Sequence, residues 1–422
     1  MEYIILIYSL FLILVLRKTF CETYLSPTGV FCFIWTFLVL LMFFVAPEFY
    51  FSYEAVFYIV NFAFFFLIGE FIFFMSNKRK FIKERIKVFY HDNFRHRLKN
   101  YTVIFSITSL IGSLFYFKSF LDHYGSFGEF LIAGSLIRTD LFEGNIAISA
   151  LSIYAMLLSY TSINLALVYY TKYGFNWFQI IPFFSVLISS FSQAARAGLV
   201  IVIFQVFAAK IFRLINLKET NIELKFLKPI LYAIPVLVFI FFIVEMFRYQ
   251  NFEINSDSLV DITNVFNIYT FGGVAGFSSY LSDIHLFSSE LTYGRYTFSS
   301  LYNILGIVKA EPGVYDQYLN VSPKQTANVY SIFRPLLEDF GYLGMIIWAF
   351  FLGFISNFIF YKAINDSMIA ISLAISIYIY LMFSFIAPLT QFNSFLLSCF
   401  LGPVIIQLSK FQFTFRSKTL KK

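Results

Sequence analysis

Apolar residues occur along the chain in eleven blocks, separated by shorter polar segments. Most blocks approach the length that an α-helix needs to cross the hydrocarbon core of a bilayer, although the first, sixth, seventh and last are short. The pattern therefore predicts about eleven transmembrane helices. The blocks are Tyr3–Leu16, Pro27–Ala46, Ala55–Met75, Tyr101–Phe117, Ile146–Tyr170, Trp177–Phe191, Gly198–Phe212, Pro229–Phe247, Gly341–Phe360, Met368–Ala387 and Ser394–Leu408.

The composition supports the same class of protein. Of 422 residues, 59% are hydrophobic and only 13% carry a charge. About a quarter of the residues are charged in a typical soluble domain. Too little polar surface remains here to cover a water-facing globule, so we expect an all-α polytopic membrane protein.

The basic residues predict the orientation of the chain. If the blocks cross the membrane in turn, 23 of the 31 Lys and Arg residues fall on one side. Basic residues concentrate in cytoplasmic segments, so that side is expected to face the cytoplasm. The chain is expected to lie in the inner membrane. The N-terminus then lies outside and the C-terminus inside. No segment is long enough to form a folded basic domain, so a nucleic-acid partner is not expected.

These assignments divide the chain into three parts. Residues 1–247 form an N-terminal bundle of about eight spans, with a basic cytoplasmic loop at 78–99. Residues 248–340 form a large extracytoplasmic loop, and residues 341–422 form a C-terminal bundle of about three spans with a basic cytoplasmic tail. An insertion as long as the second part is usually functional.

Two parts of the large loop, Thr270–Tyr280 and Phe298–Ile307, are themselves apolar. We expect them to pack onto the membrane surface as interfacial helices.

Several common chemistries have no signature in this sequence. There is no phosphate-binding P-loop, no G-x-G-x-x-G segment and no C-x-x-C pair, and the four His residues are scattered. Neither a metal site nor a cofactor is therefore expected. Without a nucleotide site, a reaction at the outer face would have to use a substrate that is already activated.

The first candidate site is the short turn between the sixth and seventh blocks, Ser189–Gly198, with the sequence SSFSQAARAG. It places Arg196 near the outer membrane surface, where a guanidinium can grip a phosphate with two hydrogen bonds. Alternatively, Arg196 reaches toward lipid headgroups only. A functional role is favoured because the residue lies on the side that basic residues avoid.

The second candidate site is Asn328–Gly344, NVYSIFRPLLEDFGYLG, where the large loop meets the ninth block. Arg334 and Glu338 are four residues apart and could share one face of a helix. Alternatively, this pair only fixes the start of the span. An exposed ion pair stabilises a protein by only about 0–1 kcal/mol. So small a stabilisation does not explain why many polar residues are concentrated in this segment, so a functional role is favoured.

Other candidates are single residues. Arg138, Arg295 and His285 lie in predicted outer loops, and each is equally consistent with an ordinary loop contact. Glu70 lies inside the third block, where a carboxylate is either functional or paired within the bundle.

Three segments together resemble the Wzy-type O-antigen polymerases, which are oligosaccharide repeat-unit polymerases. They are SQAARAG at Ser192–Gly198, YGRYTF at Tyr293–Phe298 and the run at Asn328–Gly344. The resemblance implies a GT-C-like fold and an inverting, metal-independent enzyme at the outer face of the bacterial cytoplasmic membrane. Such an enzyme transfers a growing glycan from undecaprenyl diphosphate to the next lipid-linked repeat unit. Arg196 and Arg334 match the positions that would contact the diphosphates.

The resemblance also suggests roles for the remaining candidates. An acid–base group is needed near the acceptor hydroxyl, and Glu338, Asp339 and His285 all remain open for it. The residues expected to bind substrate are Arg138, Arg295, Asn328 and Tyr330.

The expected partners are undecaprenyl-diphosphate-linked oligosaccharides and membrane lipid, together with a chain-length regulator and a flippase of the same pathway. Three alternatives share features with this function: an O-antigen ligase, which differs in its acceptor, a flippase for the lipid-linked unit, and a non-enzymatic scaffold. The small number of charges inside the spans disfavours the flippase.

Overall fold

The computed structural model describes residues 1–20, 23–82, 92–217, 219, 221–249, 256–284, 290–307, 315 and 317–411. Within these ranges the chain is built almost entirely from α-helices, joined by one two-stranded antiparallel hairpin. The helices before the large loop are α1 (Glu2–Lys18), α2 (Pro27–Val45), α3 (Tyr53–Ile82), α4 (Asp92–Tyr124), α5 (Phe127–Ala133), α6 (Leu136–Glu143), α7 (Ala150–Leu157), α8 (Ser159–Tyr173), α9 (Ile181–Ser192), α10 (Ala197–Asn216) and α11 (Ile222–Tyr249).

The predicted large loop contains regular structure of its own. It holds a long helix, a short helix and the hairpin, and three further helices follow it. These elements are α12 (Ser256–Ser282), α13 (Ser299–Ile304), β1 (Leu319–Ser322), β2 (Gln325–Ala327), α14 (Phe333–Ile364), α15 (Met368–Phe383) and α16 (Asn393–Lys410).

Within the residues that the structure describes, six helical segments are long and apolar enough to cross a membrane, which is consistent with an all-α membrane protein. Each of the eleven predicted blocks overlaps a helix, but several of these helices are short; α1 and α15 have 17 and 16 residues. A span typically needs about 20 residues, so the count of eleven stays a prediction. The six segments are Pro27–Val45, Tyr53–Ser76, Asp92–Tyr124, Ala150–Tyr173, Ala197–Asn216 and Phe333–Ile364.

Helices α3 and α14 pack backbone against backbone at the centre of the fold. A Cβ added to Gly69 would lie 2.1 Å from the carbonyl oxygen of Phe350, and one added to Gly353 would lie 2.1 Å from that of Phe66. Only glycine allows such an approach, which is a common way for helices to associate in membranes.

Glu70, beside this crossing, is fully buried and pairs with Arg17 of α1. Its second carboxylate oxygen accepts a hydrogen bond from the Thr28 amide at 2.9 Å. Both oxygens are thus engaged inside the bundle. This confirms the alternative in which Glu70 pairs within the bundle, and it removes Glu70 from the candidates for chemistry.

The expectation of an interfacial helix at Thr270–Tyr280 is wrong. Residues 271–281 of α12 are all buried. Added Cβ atoms at Gly273 and Gly276 would lie 2.0 Å and 2.8 Å from the carbonyl oxygens of Phe385 and Val329. The segment is apolar because it belongs to the protein core. By contrast, Phe298–Ile307 exposes apolar side chains, as a segment lying against lipid would.

The hairpin offers a direct test of orientation. We expect Asn320→Cys, at an exposed position of β1, to react with an impermeant maleimide on whole cells, because the 23-to-8 distribution of basic residues puts this loop outside. The measurement is thiol labelling in a background with Cys21, Cys32 and Cys399 replaced by serine. Lys362→Cys, expected inside, is the control. Labelling of Asn320→Cys only after the inner membrane is permeabilised would reverse the orientation.

Candidate functional site

A cavity of about 1600 Å³ runs between α2, α10 and α11 and continues beneath parts of the large loop. Its lining combines arginine, amide and tyrosine side chains with many aliphatic and phenyl side chains. Along α11 the lining runs from the apolar Phe226, Leu227 and Leu231 to Arg248 near the C-terminal end of the helix, so one end of the cavity, at Arg248, is charged. The lining arginines are Arg138, Arg196, Arg248 and Arg295.

A tight turn brings Arg196 to the cavity. Helix α9 ends at Ser192 and α10 begins at Ala197, as the sequence predicted, and Ala194 takes a positive φ of 47° in the turn. Gly198 allows a close approach here, because an added Cβ would lie 2.6 Å from the Ser190 hydroxyl oxygen, which would have to shift. The small residues of the SQAARAG segment thus let the two helices close around one arginine.

The Arg196 side chain is 9% exposed and is held on three sides. Its Nη1 lies 2.5 Å from Oε1 of Glu245. Its Cζ lies 3.8 Å from the ring centroid of Tyr269 and 4.4 Å from that of Phe241. Such stacking contacts stabilise a guanidinium and fix its plane. Arg196 is therefore enclosed by protein, unlike a side chain that extends toward lipid headgroups.

Two further arginines surround the same carboxylate. Arg248 Nη1 lies 3.2 Å from Oε1 of Glu245, and Arg138 lies within the electrostatic influence of Glu245, Arg248 and Tyr269. Two guanidinium groups thus pair with one carboxylate and Arg138 adds a third positive charge nearby, which leaves two positive charges in excess. Uncompensated buried charge is costly, so this end of the cavity is suited to an anion.

The pKa of Tyr269 is affected by the same group of arginines. Burial by itself raises the pKa of its phenol, but Arg196, Arg248 and Arg138 outweigh burial and hold the pKa below its usual value. Nearby positive charge favours the ionised form of any acidic group. A phosphate oxygen placed here would be stabilised as an anion in the same way.

The sequence prediction found Arg196 and Arg138 but missed Glu245, Arg248 and Tyr269. A signal existed for the first two, because Glu245 is the only charged residue in the predicted span Pro229–Phe247 and Arg248 follows three residues later. Such spacing puts both on one helix face. Tyr269 has no comparable signal, since the chain contains 29 tyrosines.

The second predicted arginine, Arg334, lies in a cage of tyrosines. Its Cζ is 3.8 Å, 4.1 Å and 4.7 Å from the ring centroids of Tyr315, Tyr330 and Tyr280. Its Nε donates to Glu338 at 2.9 Å, and it also bonds Gln317. The expectation that Arg334 and Glu338 share one helix face is confirmed, and the two form an ion pair across one helical turn.

This cage borders the cavity without opening Arg334 to it. Arg334 is 1% exposed, and the lining is formed by its neighbours Tyr315, Tyr330 and Pro335. Glu338 is 12% exposed and accepts a hydrogen bond from the Tyr315 hydroxyl at 2.7 Å. Burial and the Glu338 charge raise the pKa of Tyr315 well above its usual value, so this phenol stays protonated as a donor.

Asp339, by contrast, holds the backbone of the large loop. Its Oδ1 accepts hydrogen bonds from the Thr292 hydroxyl and the Tyr296 amide, and its Oδ2 accepts one from the Thr297 amide. Gly341, with φ at 66°, kinks α14 just after it. The YGRYTF segment thus docks onto the start of the ninth block, which brings together two of the three segments noted in the sequence.

We expect Asp339→Asn to lower the free energy of unfolding by about 2–3 kcal/mol, because its amide NH₂ would face buried donors that need an acceptor. The check is thermal unfolding of the purified protein in detergent, with the exposed Asp122→Asn as the matched control. Unchanged stability with loss of turnover would instead make Asp339 an acid–base residue.

The remaining predicted site residues lie around the same cavity or outside the described residues. Arg295 and Asn328 line the cavity, and Tyr330 donates its hydroxyl to the Gln317 carbonyl at 2.8 Å. His285 lies outside the described residues. Among the residues that are described, no three His, Cys, Asp or Glu side chains form a group that could hold a metal ion.

Comparison with known proteins adds no relative to this picture. The chain matches no protein-family model, no curated protein and no solved structure. Its function must therefore be argued from the cavity and the residues that line it.

Proposed function

We propose that this chain is a membrane glycosyltransferase that joins undecaprenyl-diphosphate-linked oligosaccharide repeat units into O-antigen, capsular polysaccharide or exopolysaccharide. The observation that supports this most is the combination of an arginine-lined end and a long apolar groove in a single cavity. A polyprenyl diphosphate has the same two parts, a charged head and a long hydrocarbon tail.

The charged end suits a diphosphate. Three arginines and one glutamate leave an excess of two positive charges, held by stacking and ion pairing. In glycosyl transfer to an acceptor hydroxyl, the bond between the anomeric carbon and the diphosphate oxygen breaks, and the departing diphosphate gains charge. Guanidinium groups already in place can stabilise that charge without reorganising.

The apolar end suits the lipid tail. The lining includes side chains of α11 from Phe226 to Arg248, a distance of roughly 33 Å at the rise of an α-helix. This is about the thickness of the hydrocarbon core. Several apolar lining residues have accessible side chains, which offer a lipid tail an apolar surface to lie against. They are Phe33, Phe37, Leu227 and Leu231.

The acid–base group of the proposed reaction is best sought at Glu338. Both oxygens of Asp339 are held by backbone and side-chain donors of the loop. The oxygens of Glu338 accept from Arg334 and from the Tyr315 hydroxyl, and Tyr315 lines the cavity, so Glu338 lies one side chain away from it. Glu338 would accept the proton from the attacking hydroxyl, and Arg334 beside it would stabilise the carboxylate before the transfer.

The proposal also includes the predicted topology and location of the chain. We propose eleven membrane spans in a GT-C-like arrangement, with the N-terminus outside, in the bacterial inner membrane. The charges that line the cavity lie toward one end of α11, at Arg248, and toward the matching end of α10, at Arg196. A flippase must accommodate a charged head across the whole membrane, so this one-sided arrangement favours chemistry at one face.

The test is reconstitution of the purified protein with lipid-linked repeat units in vesicles containing EDTA. Polymer and free undecaprenyl diphosphate are expected to accumulate together, because arginines supply the charge that a metal provides elsewhere. Activity that requires added Mg²⁺ or Mn²⁺ would contradict the arginine-based mechanism. Transfer only to a lipid A–core acceptor would identify a ligase, and translocation without bond formation would identify a flippase.

A further inference from the structure

Glu245 is a carboxylate shared between two arginines at the charged end of the cavity. It is fully buried, and a single oxygen, Oε1, lies 2.5 Å from Arg196 Nη1 and 3.2 Å from Arg248 Nη1. Its other oxygen, Oε2, has no hydrogen-bond partner within the described part of the chain. The arginines line the cavity and Glu245 lies behind them.

We propose that Glu245 is an internal competitor for the anion bound by Arg196 and Arg248, and that it speeds release of the diphosphate product. This inference rests on the proposed function, because it concerns how the same site turns over. It names a role for a residue that neither contacts the transferred sugar nor lines the cavity.

The hydrogen-bonding geometry supports competition. A guanidinium holds a phosphate best with two N–H groups on the same edge. Oε1 of Glu245 accepts a hydrogen bond from Nη1 of Arg248 and makes an ion-pair contact with Nη1 of Arg196. Neither Nη of Arg196 nor Nε of Arg248 has a hydrogen-bond partner among the residues described. An anion that takes the edge formed by Nη1 and Nη2 of either arginine must therefore share or displace the glutamate.

The charge balance points the same way. With Glu245 ionised, the cluster of Arg138, Arg196, Arg248 and Glu245 carries an excess of two positive charges, and without it the excess is three. A nearby negative charge weakens the binding of any anion, strongly so where water is excluded. When the site empties, the carboxylate again compensates the buried guanidinium groups, which lowers the cost of losing the product.

A purely structural role makes the opposite prediction. If Glu245 only orients the arginines, removing its side chain loosens them and weakens anion binding. Two substitutions separate these roles. Glu245→Gln keeps an oxygen that can accept from the arginines but removes the charge, and Glu245→Ala removes both.

The experiment measures the binding of inorganic pyrophosphate to the purified full-length protein by isothermal titration calorimetry. We expect Glu245→Gln to bind pyrophosphate about tenfold more tightly than the native protein because the repulsion is gone. Glu245→Ala should also bind more tightly. In the reconstituted polymerisation assay, pyrophosphate should inhibit Glu245→Gln at a correspondingly lower concentration.

Asp122→Asn is the matched control, since it removes an exposed carboxylate that pairs with Lys118 at 3.1 Å, away from the arginines. Its affinity for pyrophosphate should equal that of the native protein. Unchanged or weaker binding by both Glu245 variants would overturn the inference and leave the proposed function standing. Absence of pyrophosphate binding in every protein, native included, would overturn the proposed function and this inference with it.

Discussion

Replacing Arg196 with alanine is expected to reduce polymer formation about 10²–10³-fold, the usual cost of removing one preorganised contact to a charge that develops in the transition state. The side chain is almost fully buried, stacks on Tyr269 at 3.8 Å and lines the charged end of the cavity. The readout is the polymer ladder on a gel, divided by the amount of inserted protein measured by immunoblot.

Arg196→Lys separates binding of phosphate from simple charge. Lysine restores the positive charge but not the planar fork, and it loses stacking on Tyr269 and Phe241, so it should rescue only part of the activity. Lys118→Ala is the control, because it removes an exposed charge paired with Asp122. Near-normal ladders from Arg196→Lys would show that this arginine anchors a helix and does not hold a diphosphate.

Much of the fold could be predicted because helices in lipid are specified locally. A block of apolar residues must satisfy its own backbone hydrogen bonds, so each of the eleven blocks overlaps at least one helix. The segment Thr270–Tyr280 was misassigned for a related reason. Composition shows that a helix is apolar but not whether lipid or protein covers it, and here glycine contacts with Phe385 and Val329 place it in the core.

The site was predicted in part. Arg196 and Arg334 stood out because basic residues are rare on the outer side of a membrane protein. Their surroundings depend on residues distant in sequence: Arg196 meets Glu245 of α11 and Tyr269 of α12, and Arg334 meets Tyr315. Only the folded chain shows that Arg196 lines the cavity whereas Arg334 lies behind its wall.

That difference gives Arg334 the second large expected effect. Arg334→Ala should lower the free energy of unfolding by about 3 kcal/mol, because Glu338, only 12% exposed, would lose the partner that lies 2.9 Å from it and keep its charge. It should also abolish most polymer formation. Contact with a diphosphate would require the Tyr315 or Tyr330 ring, each within about 4 Å of the guanidinium, to move aside.

The double variant Arg334→Ala/Gln317→Ala is a poor test, because Gln317 is only a secondary partner of Arg334. The informative comparison is Arg334→Ala/Glu338→Gln, which removes both charges of the pair. The stability of this double variant should recover toward that of the native protein, since no unpaired carboxylate remains. Glu338→Gln alone is the control, because it shows how much activity is lost with the proposed base. Thermal unfolding in detergent and the amount of polymer per inserted protein are measured for Arg334→Ala, Glu338→Gln and the double variant.

If Arg334 serves the reaction, Arg334→Ala/Glu338→Gln stays less active than Glu338→Gln alone. If Arg334 only balances Glu338, the two variants show equal activity, and the prediction that Arg334 takes part in the reaction is wrong.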